Sequence, residues 1–559
     1  MTKELRTTIE QIEAAPGQRL LVVSDIHGHF NRLVQLLKKL EYGGDDILII
    51  VGDLIDKGPE SLRVVQYVMD LSRRHPVYVS MGNVDFSRLL KLEEDGASFA
   101  GFLKWSAEWW KSSLFQEMLA DLGVSVGQVT AENAPEYQER IREQFREELD
   151  FLRNRPTILT AGNYLFVHGG VPTEDLDVLA REPALGYLKN DNFWNQGYSF
   201  QKFTMVTGHW PTGLYRKDRV DVSPLFDPER NIVCIDGGCG LKRVGQLNGI
   251  IIPDCRAGME ELSWTSYDDF PVATALEAGK ERPAAVRFRY FDSAAELLEE
   301  RYEMALVRQL SSGKETEVPR SLLSRWDDGL LHCDDYSDEW LAVEPGEELS
   351  VLFETQGKRY VKKRGGVGWY AGAVKPGETG LKLVQGGPES GNWRRERELA
   401  VYELLNRLGI PFERIDHCEA NTMETCRAID EALNAVICKN LFLCNQQRTK
   451  FYLLVMPGDK RFRTKELSKQ INSSRLSFGE AVYMERFLHI SPGSVSVMGL
   501  MNDTENRVQL LIDREILAGE RFGCHPCMNT SSIRLSFADL LEKFLPAVRH
   551  EPVFVELVR

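Results

Sequence analysis

Six residues of metal-binding type stand at equivalent places along the first half of the chain. They are Asp25 and His27 in LVVSDIHGHF, Asp53 in LIIVGDLIDKG, Asn83 in PVYVSMGNVD, His168 in YLFVHGGVP and His209 in FTMVTGHWPTG. Carboxylate, imidazole and amide oxygen form a plausible ligand set for two divalent ions, with one carboxylate able to bridge them. Each polar residue follows an apolar, β-branched run and lies beside glycine, and NIVCIDGGCG with Asp236 repeats the pattern. Amphipathic or proline-started helices follow the first two runs. The grammar is that of an α/β sheet whose ligands collect at the C-terminal strand ends, where loops converge and the strands hold them still.

This series resembles the calcineurin-like metallophosphoesterases, within them the phosphoprotein-phosphatase and diadenosine-tetraphosphatase branch, whose pattern is GD-x-HG, GD-x-x-DRG, GNHE, HGG and GH. The resemblance covers about residues 18 to 255 and implies a four-layer β-sandwich flanked by helices. It further implies that Asp25 and His27 hold a first metal, that Asp53 bridges, and that Asn83, His168 and His209 hold a second. The ions would be two divalent cations such as Mn, Fe, Zn or Mg. Three departures stand out: Ser24 replaces the first glycine, Lys57 replaces the arginine that would clamp phosphate, and Val84 stands where the family has the histidine that protonates the leaving group. Lys57 keeps the charge but loses the bidentate fork. Asp56, the usual partner of that histidine, remains as a catalytic candidate. General acid catalysis is worth about 10²- to 10⁴-fold, so reduced activity on esters with poor leaving groups is expected. His29 and Arg88 read as surface residues, with a replacement acid as the alternative.

The chain has 559 residues, 43% hydrophobic and 27% charged, which suits several soluble domains. No apolar run approaches the roughly 20 residues of a membrane span, and the charged start MTKELRTTIEQIEAAPGQ lacks a secretory core; a cytoplasmic location is expected. Ten scattered cysteines point to reduced thiols. A net charge of -15 gives no general attraction to nucleic acid, so DNA is not expected as a partner and RNA contact would need a local patch.

Between Asn83 and His168 lies a helical insertion, near 87–155, whose Trp105, Trp109 and Trp110 could cap the cleft and stack on a base or pack an aromatic stripe of their own. From about 265 the strand grammar stops. The stretch 272–313 carries helical periodicity, and 347–374 alternates like a small antiparallel sheet. Basic and aromatic residues there, among them Tyr360, Lys362 and Trp369, could contact RNA or protect a hairpin edge. The middle region, 265–389, is therefore expected to be mixed α+β.

A fresh domain begins near 390. Lys439 and Asn440 interrupt an apolar stretch in AVICKNLFLCN, where a lysine is costly to bury without a partner or a role. CKNLFL, YLLVMPGDK, RLSF, SPGSVSVMGLMNDTENRVQLLID and CHPCMNTSSIRLSFADLLEKFL together resemble the YbaK-like editing domains, most closely the free-standing prolyl-tRNA deacylases, over about residues 390 to 559. That resemblance implies an α+β domain that takes the acceptor end of a tRNA, proline tRNA above all, and hydrolyses a mischarged aminoacyl ester without a metal. Lys439 and Asn440 would position the tRNA end and ester carbonyl; Gly493, Ser494, Gly499 and His525 would shape the amino-acid pocket. Val497 and Met498 stand where a Pro-Phe pair is common. Cys524 and Cys527 also fit a redox or zinc half-site. The resulting expectation is a bifunctional hydrolase with a phosphoesterase at 1–264, acting on a phosphoprotein or nucleotide phosphoester, and an editing domain at 390–559; the alternative is an editing enzyme or tRNA-binding protein whose phosphatase-like half is a weakly active or regulatory metal-binding module.

Overall fold

A computed structural model describes residues 5–557 except 111, 301–302, 356, 377–383, 386–395, 418–428, 430–431, 459, 461, 491–492 and 529–530. It divides into two compact units, Met1–Lys375 and Pro376–Arg559.

The first unit opens with β1 (Ile9–Gln11) and continues through β2 (Leu20–Val23), α1 (Phe30–Lys39), β3 (Ile47–Val51), α2 (Ser61–Arg74), β4 (Val77–Ser80) and α3 (Asn83–Leu92). Four further helices follow: α4 (Gly96–Trp109), α5 (Leu114–Asp121), α6 (Ala134–Gln144) and α7 (Arg146–Arg153). Strands resume as β5 (Ile158–Ala161), β6 (Tyr164–Val167), β7 (Thr204–Thr207), β8 (Leu225–Asp227), β9 (Ile232–Cys234), β10 (Leu247–Ile252) and β11 (Ser263–Tyr267). They form two sheets, ordered β1-β5-β6-β7-β9-β8 and β11-β10-β2-β3-β4. One face of each meets in a common core that includes Val22, Ile49, Val51, Phe166, Val206, Val233 and Ile250. The fully apolar runs of β2 and β3 are buried on both sides, as expected of parallel strands covered by sheet on one face and helices on the other. The C-terminal ends of β2, β3, β4, β6, β7 and β9 carry the candidate ligands.

The segment read as helical near 272–313 forms strands instead: Val272–Ala275, Arg287–Phe288, Ala294–Glu300 and Met304–Gln309. Ala, Leu and Glu give AAELLEE good helix propensity, but Leu297 pairs with Val307 in an antiparallel hairpin. Ala305, Val307 and Gln309 alternate into the interior. Tertiary pairing overrides the local preference. The alternating stretch does form the antiparallel strands Glu348–Thr355, Lys358–Lys363 and Gly366–Tyr370. Of the residues that could contact RNA there, Tyr360, Lys362, Trp369 and Tyr370 are buried and so withdrawn from that role, while Arg364 is exposed. Lys362 donates to the Val244 carbonyl at 2.8 Å and pairs with Asp268 at 2.6 Å. The neighbouring Asp269 pairs with Arg32 of α1 at 2.5 Å, so two consecutive aspartates fasten the β-rich region to the phosphoesterase-like sheets.

In the second unit, a sheet containing Phe412–Asp416, Ser531–Ser536, Arg521–Cys524 and Val436–Ile437 shares a core with a sheet built around Lys439–Asn445, Phe451–Met456 and Val508–Asp513. Among the described residues no helix is long and apolar enough to cross a membrane.

Candidate active sites

At the strand ends of the first unit the chain repeatedly turns left-handed at residues other than glycine: φ is 52° at Asp25, 47° at His27, 52° at Asp53, 65° at Asp56, 69° at Lys57 and 68° at His209. Such conformations cost energy and survive where surrounding structure fixes them, often at functional sites. The loops also approach closely. A Cβ on Gly82 would lie 2.1 Å from the Asp53 nitrogen, so only glycine fits.

Hydrogen bonds fix the two buried imidazoles. His27 Nδ1 lies 3.1 Å from the Ile55 carbonyl and His168 Nδ1 lies 2.8 Å from the Val51 carbonyl. A carbonyl can only accept, so each Nδ1 carries a proton and Nε2 points into the site. His168 Nε2 is 3.0 Å from Asn83 Oδ1 and 3.4 Å from Asp53 Oδ2. His27 Nε2 is 3.6 Å from Asp53 Oδ2 and 3.8 Å from Asp25 Oδ1. Asp53 Oδ2 thus stands between the two rings, while its Oδ1 accepts the Val84 N–H at 2.8 Å. Asp25 Oδ2 accepts the His209 N–H at 3.0 Å. His209 reaches outward, Nε2 to Asp191 Oδ1 at 2.7 Å.

Electrostatics mark the same spot. Burial lifts the Asp25 carboxyl to about 6, and burial with the nearby Asp25 charge pushes Asp236 well above the usual range. Burial likewise raises Asp85, to about 7. Burial also opposes ionisation of Asp53, but His168, His27 and Lys57 outweigh it and hold that carboxyl well below the ordinary range. Although burial disfavours its charge, Asp53 and Asp25 draw His168 up to about 10, while burial takes His209 down to about 4. Asp25 Oδ1 and Asp236 Oδ2 are buried without a hydrogen-bond partner. Ligand atoms of Asp25, His27 and Asp53 lie within 4.8 Å of one another. Converging lone pairs, unpartnered carboxylate oxygens and titration pulled in both directions fit a cluster built to receive divalent cations.

The structure brings Asp25, His27, Asp53, Asn83 and His168 together, with His209 at the rim: its ring centre is 5.3 Å from that of His168. Asp56 and Lys57 flank them. Asp236 belongs to the cluster as well; its strand-end glycine pattern was the signal. The surface reading of His29 and Arg88 is wrong. His29 is held by Gly58 and Gly240, and its Nε2 is buried without a partner. Arg88 forms a buried ion pair with Asp56, beneath the rings of Phe102 and Trp110. Asp56 also accepts the Leu114 N–H at 2.8 Å, so it anchors the helical insertion. Trp105 and Trp110 meet edge to face at 4.6 Å and both reach Phe102; Trp105 and Trp109 are exposed, and Trp110 also reaches Arg88.

In the second unit, Val436 pairs with Phe522 and Ile437 with Gly523, which sets Lys439 and His525 just beyond the ends of neighbouring strands. Lys439 is exposed, contrary to the expectation of an apolar setting, because it is the first residue of its strand. Its Nζ donates to the Lys460 carbonyl at 3.3 Å. Lys460, which sequence reasoning missed, is buried and held by Asp513 and Glu515 at 2.8 and 2.9 Å. Asn440 donates to the Cys438 carbonyl at 3.1 Å, and its Oδ1 is buried without a partner. His525 Nδ1 donates to the Ser531 carbonyl at 2.9 Å, leaving Nε2 as the lone-pair nitrogen, and burial lowers its pKa. Ser496 ties the 493–499 loop to the His525 carbonyl. Ser494 is buried, Gly493 turns with φ 90°, and Gly499 packs where a Cβ would meet Ile490 at 2.3 Å. Cys524 and Cys527 are free and buried, and burial pushes the Cys527 thiol up to about 12. Burial of this kind disfavours the thiolate form in both.

The model of the aminoacyl-tRNA editing domain matches residues 417–543, and that of the calcineurin-like phosphoesterases matches 18–235. The prolyl-tRNA editing protein ProX of Acetoanaerobium sticklandii is 32% identical over 148 residues, 26% of this chain and 90% of that protein. The chain belongs to the aminoacyl-tRNA editing family. Prolyl-tRNA synthetase associated domain-containing protein 1 of Danio rerio is 32% identical over 155 residues, 27% of this chain and 83% of that protein. At the other end, the symmetrical bis(5'-nucleosyl)-tetraphosphatase of Dechloromonas aromatica is 29% identical over 194 residues, 34% of this chain and 56% of the relative. The chain therefore joins a calcineurin-like phosphoesterase domain to an editing domain, and both are hydrolase families.

Proposed function

We propose that the protein is a bifunctional hydrolase: a two-metal phosphoesterase at its N-terminal end and, at its C-terminal end, a deacylase for mischarged tRNA of the Ala-tRNA(Pro) kind. The observation carrying the first activity is the placement of Asp53 Oδ2 between His27 Nε2 and His168 Nε2, at 3.6 and 3.4 Å, which suits a carboxylate bridging two ions. Asp25 and His27 would hold one and Asn83, His168 and His209 the other. Divalent ions held there supply Lewis acidity toward a phosphoryl group. The chain's own residues do the rest. Backbone contacts to Val51 and Ile55 fix both imidazole tautomers, the Val84 N–H fixes the bridging carboxylate, and Lys57 offers a cation to the phosphoryl oxygens.

Val84 cannot give a proton to the leaving oxygen. Arg88, which occupies Asp56, can stabilise charge but stays protonated and so cannot act as the acid. The phosphoester that suits such a site has a good leaving group. The test compares p-nitrophenyl phosphate with alkyl phosphates, and equal rates on both would show that another residue supplies the proton. The engagement of Asp56 by Arg88 also favours a second reading, in which this half is a weakly active or regulatory metal-binding module. Metal content without turnover on any phosphoester would decide for it.

At the editing site Lys439 would meet the developing charge on the ester carbonyl, Asn440 Oδ1 would take a donor from the tRNA end, and the neutral His525 would border the amino-acid pocket. An apolar pocket discriminates poorly against a smaller side chain, which is why such a correction step is needed. Release of labelled alanine from charged proline tRNA tests this, with Pro-tRNA(Pro) expected to be spared.

A further inference from the structure

We infer that Lys57 is a built-in competitor for the first metal, so that this position loads only by displacing an ammonium. The inference rests on the two-metal reading above. Lys57 Nζ lies 2.9 Å from His27 Nε2. Because His27 Nδ1 is committed to the Ile55 carbonyl at 3.1 Å, Nε2 holds a single lone pair. An ammonium N–H and a metal ion cannot both use it. At the second position no ammonium intrudes: His168 Nε2 faces the oxygens of Asn83 and Asp53, so the competitor there is the ring's own proton and replacing Lys57 leaves that position untouched.

The contact is built into the backbone. Asp56 and Lys57 are consecutive left-handed residues. Asp56 is held by Arg88, by the Leu114 N–H, and through its own N–H by Ser61 Oγ at 2.9 Å. That rigid turn sends the lysine back over His27. Lysine suits the part because its ammonium is a compact point charge on a flexible stem, whereas an arginine fork at this position prefers to span two oxygens. When a metal takes the Nε2 lone pair, the ammonium is released without leaving the cleft and is free to meet a phosphoryl oxygen. The cleft thereby keeps a positive charge beside Asp53 before and after loading.

The experiment is calorimetric titration of Mn²⁺ into the full-length protein stripped with chelator, alongside Lys57→Met and Lys57→Gly, with bound metal counted by elemental analysis. Glycine accepts the left-handed backbone, which guards against misfolding of the methionine variant. The wild type is expected to show two steps, assigned by variants: His27→Ala should remove the first-position step and Asn83→Ala the second. In both Lys57 variants the first-position step should tighten by about 10- to 100-fold, the worth of one hydrogen bond to a charged group, with the second-position step within about twofold as an internal control. In the stripped protein the ¹⁵N resonance of His27 Nε2 should move toward that of a free acceptor when Lys57 is replaced. Two unchanged steps in both variants, or loss of both steps in both, would overturn the inference, the latter by making Lys57 a support for metal binding. Absence of any metal step in wild type and variants alike would instead bring down the two-metal reading itself, and this inference with it.

Discussion

The two candidate sites solve opposite problems. In the phosphoesterase half the reactive groups are buried, strained and mutually unfavourable: Asp25, Asp85 and Asp236 are all pushed toward the neutral form while His168 is pulled toward the charged one. In the editing half Lys439 lies exposed at a strand start, and its neighbour Lys460 is already satisfied by Asp513 and Glu515. The first arrangement is incomplete by itself and calls for cations. In the second the buried lysine is already paired and an unpartnered oxygen remains on Asn440; the proposed substrate there is an ester that is intrinsically labile. On the proposed reading, a site that must stabilise a phosphoryl transition state concentrates charge, and one that need only orient an ester would leave its lysine in reach of the tRNA end.

The sharpest way to break this contrast is Asp53→Asn. A neutral bridge should lose both ions and reduce kcat/KM on p-nitrophenyl phosphate by about 10³-fold or more, with deacylation unaffected; elemental analysis and the two assays check it. Lys439→Ala should lower deacylation of Ala-tRNA(Pro) by about 10²- to 10³-fold, the scale of one lost charge-stabilising donor, with the metals retained. If that variant equals wild type, the exposed lysine is only a surface residue. Smaller effects follow from Arg88. Val84→His alone should barely flatten the dependence of rate on leaving-group acidity, because Asp56 is engaged. Val84→His with Arg88→Ala should raise hydrolysis of alkyl phosphates by about 10-fold or more, toward the lower end of general acid catalysis. A full effect from the single change would mean that Asp56 can serve both partners.

The mildest test concerns a carboxylate that is satisfied. Asp503 accepts the N–H groups of Arg507 and Val508 and pairs with His550; burial opposes its ionisation, but these contacts win and lower its pKa. Its stabilisation is present above the unfolded value and is lost as pH falls through the folded one. Asp503→Asn should therefore cost about 1 kcal/mol near neutral pH and progressively less below about pH 4. Thermal melts across that range read it out. An equal loss at all pH values would assign the effect to packing.

Much of the metal cluster was legible because strand-end placement is a local pattern: apolar run, ligand, glycine. The partner of Asp56 was not. Arg88 is five residues past Asn83 on α3, and what buries it are Phe102 and Trp110, contributed by α4 and its C-terminal edge; no local spacing announces a contact made by a distant helix. The same holds for Lys57, whose orientation follows from a turn fixed by Ser61, Arg88 and Leu114 together. The middle strands were misread for the converse reason. AAELLEE has the composition of a helix, and only its partner strand Met304–Gln309 makes it extended.

The aspartate pair at 268 and 269 bears on where this polypeptide can be cut. A fragment ending at the last strand of the phosphoesterase sheets would leave the Arg32 guanidinium beside Cys239 without its carboxylate, next to a His29 that already lacks a partner. Uncompensated buried charge of that kind costs several kcal/mol, comparable to the whole stability of many domains. The β-rich stretch is thus less a tether than a cover plate riveted to the phosphoesterase domain, and a soluble, well-behaved fragment of that domain should extend to about residue 375.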